Sequence, residues 1–157
     1  MKKWTCALLL AAVLLVLGVC TAALADQVPG NIPGEQVEVG GITYTMLMGD
    51  SVRSTEQDMK FVQVMVMRNS SDIAAYFLVT DTETLMDAIV DTGVGKVEKT
   101  SWGYSVVSMD EIDANYSVDG SWWGIMRFDG SEFVQLETGV ENTPIQTNDA
   151  FLFIYQR

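Results

Sequence analysis

The sequence predicts a domain of the α+β class, and three observations predict it. First, residues 61–67 and 150–155 are apolar at nearly every position, the pattern of strands covered on both faces. Second, the hydrophobic period changes between them: Leu85, Ala88 and Ile89 share one helical face, with Met86 and Val90 beside it. Third, Gly40-Gly41, Asp119-Gly120 and Asp129-Gly130 punctuate short alternating runs, because glycine accepts the positive φ of tight hairpin turns. The order hairpin, helix, strand, hairpin and apolar closing strand places one main helix on one face of a mixed sheet, a β-grasp-like arrangement.

The chain begins with what reads as a secretory signal peptide, residues 1–25. Lys2 and Lys3 form a basic start, Cys6 to Val19 an apolar run, and Ala23-Leu24-Ala25 a small-x-small cleavage site before Asp26. The apolar run is short for a retained span. Cys20 follows Val19 rather than a small residue, which argues against a lipoprotein signal. Cleavage leaves 132 of the 157 residues, one domain's worth. Residues 26–36, with Pro29, Gly30, Pro33 and Gly34, read as a linker. Residues 37–60 read as an N-terminal hairpin and a polar loop, and 61–157 as the main domain.

In that domain, residues 61–67 and 74–79 form a hairpin around the turn cluster Arg68-Asn69-Ser70-Ser71-Asp72. Thr80 and Glu83 stand at capping-box spacing ahead of the helix, and Gly93 is placed to end it. Residues 96–101 are polar. A third strand follows over 102–109, then an acidic loop over 110–120. Residues 122–128 form a strand with Trp122, Gly124, Met126 and Phe128 on one face and Trp123, Ile125 and Arg127 on the other. It turns at Asp129-Gly130 into residues 131–134. A loop over 139–149 leads to the closing central strand.

Composition excludes much chemistry. The chain has no histidine, and both cysteines, Cys6 and Cys20, leave with the signal. Ser-His-Asp and Cys-His catalysis fall away, as do the usual zinc and haem ligand sets. Loss of Lys2 and Lys3 takes the net charge from −12 to −14. So acidic a chain repels nucleic acid and anionic lipid, so neither nucleic acid nor, after signal cleavage, membrane is an expected partner. No carboxylate pair sits on a signature motif, and Lys96 and Lys99 lack a partner serine motif; the expectation is no enzyme. The strand methionines, Met46, Met48, Met65, Met67, Met109 and Met126, read as core.

Two constellations remain. The aromatic residues Trp102, Tyr104, Trp122, Trp123 and Phe133 offer flat contact area and indole donors for a small flat ligand, and the same residues also serve as core. One of Trp122 and Trp123 must point away from the core, because successive strand residues face opposite ways. The acidic loop carries Asn115, Ser117 and Asp119 at the alternating spacing that opens a calcium loop; position twelve is Met126 rather than Glu, so it is no EF-hand. The bland alternative is a solvated turn bonding its own backbone.

From about Tyr76 onward the chain resembles a family found in many secreted bacterial proteins and related to the C-terminal β-domain of the transcobalamins and intrinsic factor. The matching stretches are Thr80-Asp81-Thr82-Glu83-Thr84-Leu85-Met86-Asp87-Ala88, Trp102-Gly103-Tyr104-Ser105-Val106, Asp119-Gly120-Ser121-Trp122-Trp123, Thr138-Gly139-Val140 and Thr143-Pro144-Ile145. Asp110-Glu111 departs from the family's Asn-Gly, and Asp129-Gly130 replaces another while keeping its turn chemistry. The resemblance implies a β-grasp-like fold and a secreted or cell-surface binding module, with cobalamin or another corrinoid as the ligand. In transcobalamins this domain covers one side of the ligand beside a helical domain; these 157 residues are not expected to hold a helical domain, so the resemblance does not carry over the complete clamp. Three readings stand at this level: a small flat ligand, an extracellular protein or cell-wall partner, and a cation such as calcium at the acidic loop.

Overall fold

The computed structural model describes residues 34–50, 52 and 59–157. The expected signal peptide with Cys6 and Cys20, most of the expected linker, and residues 51 and 53–58 of the polar loop lie outside the described residues. Ten strands, β1 (Gln36–Val39), β2 (Ile42–Met48), β3 (Lys60–Asn69), β4 (Asp72–Thr80), β5 (Gly95–Thr100), β6 (Gly103–Met109), β7 (Ile112–Asp113), β8 (Trp122–Phe128), β9 (Phe133–Gln135) and β10 (Ala150–Gln156), join helices α1 (Leu85–Thr92) and α2 (Tyr116–Asp119) and a 3-10 turn (Val140–Asn142). This is the α+β architecture expected.

Seven strands form one mixed sheet in the order β1-β2-β4-β3-β10-β8-β9. β10 lies parallel to β3 and antiparallel to β8. β2 lies parallel to β4, so the N-terminal hairpin extends the main sheet. The apolar runs of β3 and β10 are explained by this placement: they are neighbours at the centre, with Val62, Val64, Met65, Val66, Phe151, Leu152 and Phe153 buried on alternating faces. The remaining strands make a separate antiparallel sheet, β5-β6-β7.

One face of the large sheet carries α1, the small sheet and the 3-10 turn. Val64, Val66, Leu78, Trp123, Phe151 and Phe153 pack there against Leu85, Ala88, Ile89, Val106, Met109, Val140 and Ile145. The other face carries Tyr44, Met46, Met65, Phe77, Phe133 and Leu152. The helix forms as its period predicts, and Gly93 ends it in the left-handed region at φ 70°. Its start differs from expectation. Thr84, not Thr80, is the N-cap, and its hydroxyl accepts from Asp87 N at 3.2 Å. Glu83 instead pairs with Lys60 at 2.9 Å. The segment 143–145 crosses this helix start: Thr143 O accepts from Leu85 N at 2.9 Å, satisfying an amide the helix cannot.

The polar residues 96–100, left out of the sheet by their composition, are strand β5. The acidic loop is also structured. Asp110 and Glu111 adopt φ of 50° and 65°, a left-handed pair that turns β6 into β7, and residues 116–119 form a helical turn. Asp-Glu therefore makes the turn that Asn-Gly would make.

Candidate functional site

The β5-β6 hairpin projects its turn, Ser101-Trp102, beyond the core that holds Val106 and Met109. The turn is tied by its own residues. Thr100 Oγ1 accepts from Trp102 N at 3.2 Å and donates to Gly103 O at 2.9 Å. Gly103 sits at φ 118°, a region that only glycine adopts without strain. Trp102 is 96 % exposed, and Tyr104, opposite Lys99 in the hairpin, is 39 % exposed. A tryptophan left in water at the end of a tied turn presents a flat aromatic face at low ordering cost.

The tip rests on Glu141, supplied by the 3-10 turn. Its Oε1 accepts a long hydrogen bond, 3.4 Å, from Tyr104 N. A Cβ at Gly103 would stand 3.0 Å from Oε1, and one at Gly139 would stand 2.3 Å from Oε2. Both neighbours of the carboxylate are therefore glycine because it lies where their side chains would be. Glu141 Oε2 is buried and receives no hydrogen bond. Sequence reasoning passed over Glu141; the flanking Thr138-Gly139 pair was its only local signal.

The expected aromatic set does not converge. Trp123 is 5 % exposed and packs in the core between the sheets, its ring edge-on to Tyr155 at 5.3 Å. Trp122 is the outward indole, 42 % exposed, and shares the opposite face of β8 with Met126. Phe133 is buried on that second face against Phe128, ring centroids 5.4 Å apart. Only Trp102 and Tyr104 stand together at one exposed place.

In the acidic loop, Asp119 is already engaged. Its Oδ1 accepts from Ser121 N at 3.0 Å and from the Ser121 hydroxyl. The hydrogen bonds from the Ser121 side chain and backbone hold its carboxyl below the usual range. Asn115 N donates to Ser121 Oγ at 2.8 Å, so the loop bonds itself as a turn. Among the described residues, no three of His, Cys, Asp and Glu gather where they could hold a metal ion.

Asp110 belongs to a different network. It pairs with Arg68 and accepts from the Tyr76 hydroxyl, while Arg68 also pairs with Asp72 at 3.0 Å. This network fastens the β6-β7 turn to the β3-β4 hairpin. Burial raises the Tyr76 phenol above its usual range against the opposing pull of Arg68.

No family model matches the chain, and no curated protein matches it. Solved structures do. The chain is similar to a protein of Ruminococcus gnavus ATCC 29149 for which metal binding has been suggested, at 24 % identity and a TM-score of 0.53, over 62 % of this chain and 97 % of that one. It is also similar to haptocorrin, solved in complex with Cbi, at 15 % identity and a TM-score of 0.48, over 67 % of this chain and 27 % of that one. The first likeness is one of fold. Among the described residues no helix is long and apolar enough to cross a membrane.

Proposed function

We propose that this chain is an exported, non-catalytic binding module of β-grasp type that takes a small flat ligand of the corrinoid class on the Trp102-Tyr104 hairpin tip. The β-grasp reading is supported by the strand order β4-β3-β10-β8, with a hairpin, a helix and a late strand returning parallel to β3. One observation carries the binding reading: Trp102 is 96 % exposed on a turn fixed by its own hydrogen bonds. A large apolar ring kept in water at a defined position is suited to stacking.

The same exposure favours a second reading. A ligand stacked on Trp102 has protein on one side only, so affinity depends on a second body, and that body alone could be the partner. This is the extracellular protein or cell-wall reading, with the same residues in contact. The cation reading finds less support, because Asp119 is spent on Ser121.

Titration of tryptophan fluorescence with cobalamin and cobinamide separates the readings. The small-ligand reading expects saturable quenching beyond inner-filter absorption, lost in Trp102→Ala and kept in Trp122→Ala. Absence of saturable quenching in the unaltered protein removes it. Recovery of one native cell-surface component by the unaltered protein but not by Trp102→Ala then supports the partner reading.

A further inference from the structure

We infer that Lys99 is the anion contact of the hairpin-tip site, so that the ligand held there carries a phosphate or carboxylate beside its flat ring; this rests on the proposed function and narrows its ligand class. The chain carries a net charge of −12. Its basic side chains among the described residues are Lys60, Arg68, Lys96, Lys99, Arg127 and Arg157. Lys60, Arg68 and Arg127 are each paired with a carboxylate. Lys99 is exposed and, among the described residues, makes no ion pair or hydrogen bond, in a chain where carboxylates are in excess. It stands instead beside the exposed aromatic pair.

Lys99 is the registered partner of Tyr104 across the hairpin, one step before the closing pair Thr100 and Gly103. Directly opposed residues share a face, with Cβ atoms about 5 Å apart. The chain from Lys99 to Trp102 spans at most about 11 Å even when fully extended, and the turn shortens it. A ring resting on Trp102 and Tyr104 therefore has the lysine stem at its rim, with no movement of the tip. Strand alternation puts Lys96 and Glu98 together on the opposite face of β5, a base and an acid two residues apart. On the aromatic side the acid is Glu141, whose Oε1 accepts from Tyr104 N and whose Oε2 is buried. β5 is also a sheet edge, where lysine deters pairing with another sheet. A charge on either face serves that purpose, so Lys96 and Lys99 separate the two roles.

The test is calorimetric titration of the unaltered protein, Lys99→Gln, Lys99→Arg, Lys96→Gln and Trp102→Ala with cobalamin, cobinamide and coproporphyrin. Cobalamin and cobinamide share the corrin ring, and in excess cyanide both carry two axial cyanides; only cobalamin has the nucleotide loop with its phosphodiester. Coproporphyrin is a flat ring bearing carboxylates. We expect cobalamin to bind about fivefold more tightly than cobinamide at low salt, the yield of one exposed ion pair. That preference should vanish in Lys99→Gln, persist in Lys99→Arg and Lys96→Gln, and shrink as salt rises. If cobalamin and cobinamide bind alike, coproporphyrin decides: affinity that falls about fivefold in Lys99→Gln alone makes the anion a carboxylate, and affinity indifferent to Lys99 overturns the contact. An equal loss in Lys96→Gln also overturns it, since net charge is then the cause; binding lost in Trp102→Ala leaves the aromatic platform standing in both cases. Binding that survives Trp102→Ala, or no binding of any of the three by the unaltered protein, overturns the platform and the anion contact with it. If Lys99→Gln does not fold, the salt dependence of the unaltered protein decides, and a preference indifferent to salt overturns the contact.

Discussion

Replacing Glu111 by glycine should stabilise the protein, against the usual direction of point substitutions. Glu111 sits at φ 65°, its neighbour Asp110 at φ 50°. A left-handed conformation costs a residue with a Cβ roughly 1–2 kcal/mol. Glycine removes that cost but brings unfolded-state freedom of about 0.5–1 kcal/mol. Glu111 is exposed and, among the described residues, makes no hydrogen bond or ion pair that its loss would forfeit. The balance is a gain of about 0.5–1 kcal/mol, or roughly 2–6 °C in the melting midpoint of a domain near 100 residues. The matched control is Asp110→Gly. It relieves the same backbone, yet strips Arg68 and Tyr76 of a carboxylate whose side chain is only 17 % exposed. Arg68 is itself 29 % exposed, so the full penalty of a broken buried pair does not apply, and about 1–3 kcal/mol is expected. Two adjacent glycine substitutions should therefore move the midpoint in opposite directions in a circular dichroism melt. A midpoint that falls in Glu111→Gly refutes the strain argument; a rise in both refutes the role of the Arg68-Asp110-Tyr76 network.

Three further outcomes follow from the same structure. Thr84→Ala should cost about 1 kcal/mol in urea unfolding, because it removes the acceptor for Asp87 N, whereas Thr80→Ala should leave the helix cap intact. Gly95→Ala should destabilise by about 1–3 kcal/mol, since the new Cβ would lie 2.5 Å from both Ser108 O and the Met109 sulfur. Stability should also fall at alkaline pH through Tyr76. Its folded value is raised by burial above the ordinary 10.0, so its contribution is whole below that value and is lost as pH rises through the folded one; Tyr76→Phe should flatten this limb of a pH-melting profile.

The parts of the fold legible in the sequence are those where one periodicity had one explanation. Phe61 to Met67 and Ala150 to Tyr155 are apolar on both sides because both faces of the sheet centre are covered. Leu85, Ala88 and Ile89 lie on the buried face of α1. β5 was illegible because it is an edge strand: in Lys96-Val97-Glu98-Lys99-Thr100 only Val97 reaches the core. Thr80 and Thr84 both precede an acidic residue by three positions, and spacing alone could not choose between them. At the site, alternation settled that Trp122 and Trp123 face opposite ways but not which way the core lay. Residues that a hairpin joins locally, Trp102 and Tyr104, could be grouped from sequence. Glu141 could not, because its relation to them exists only once the 3-10 turn folds back beneath the hairpin.

The parallel pairing of β10 with β3 also governs when the domain can form. β3 and β10 are contiguous in the sheet, but more than eighty residues separate their registered partners, Gln63 and Ala150. Until β10 emerges from the ribosome, β3 and β8 have no strand between them and the Phe151 and Phe153 rings are missing from the core. Such long-range pairing slows collapse to the native state and prolongs exposure of unpaired edges. Synthesis of the domain thus runs almost to completion with a chain that cannot yet commit to its fold, and the last strand acts as the step that closes it.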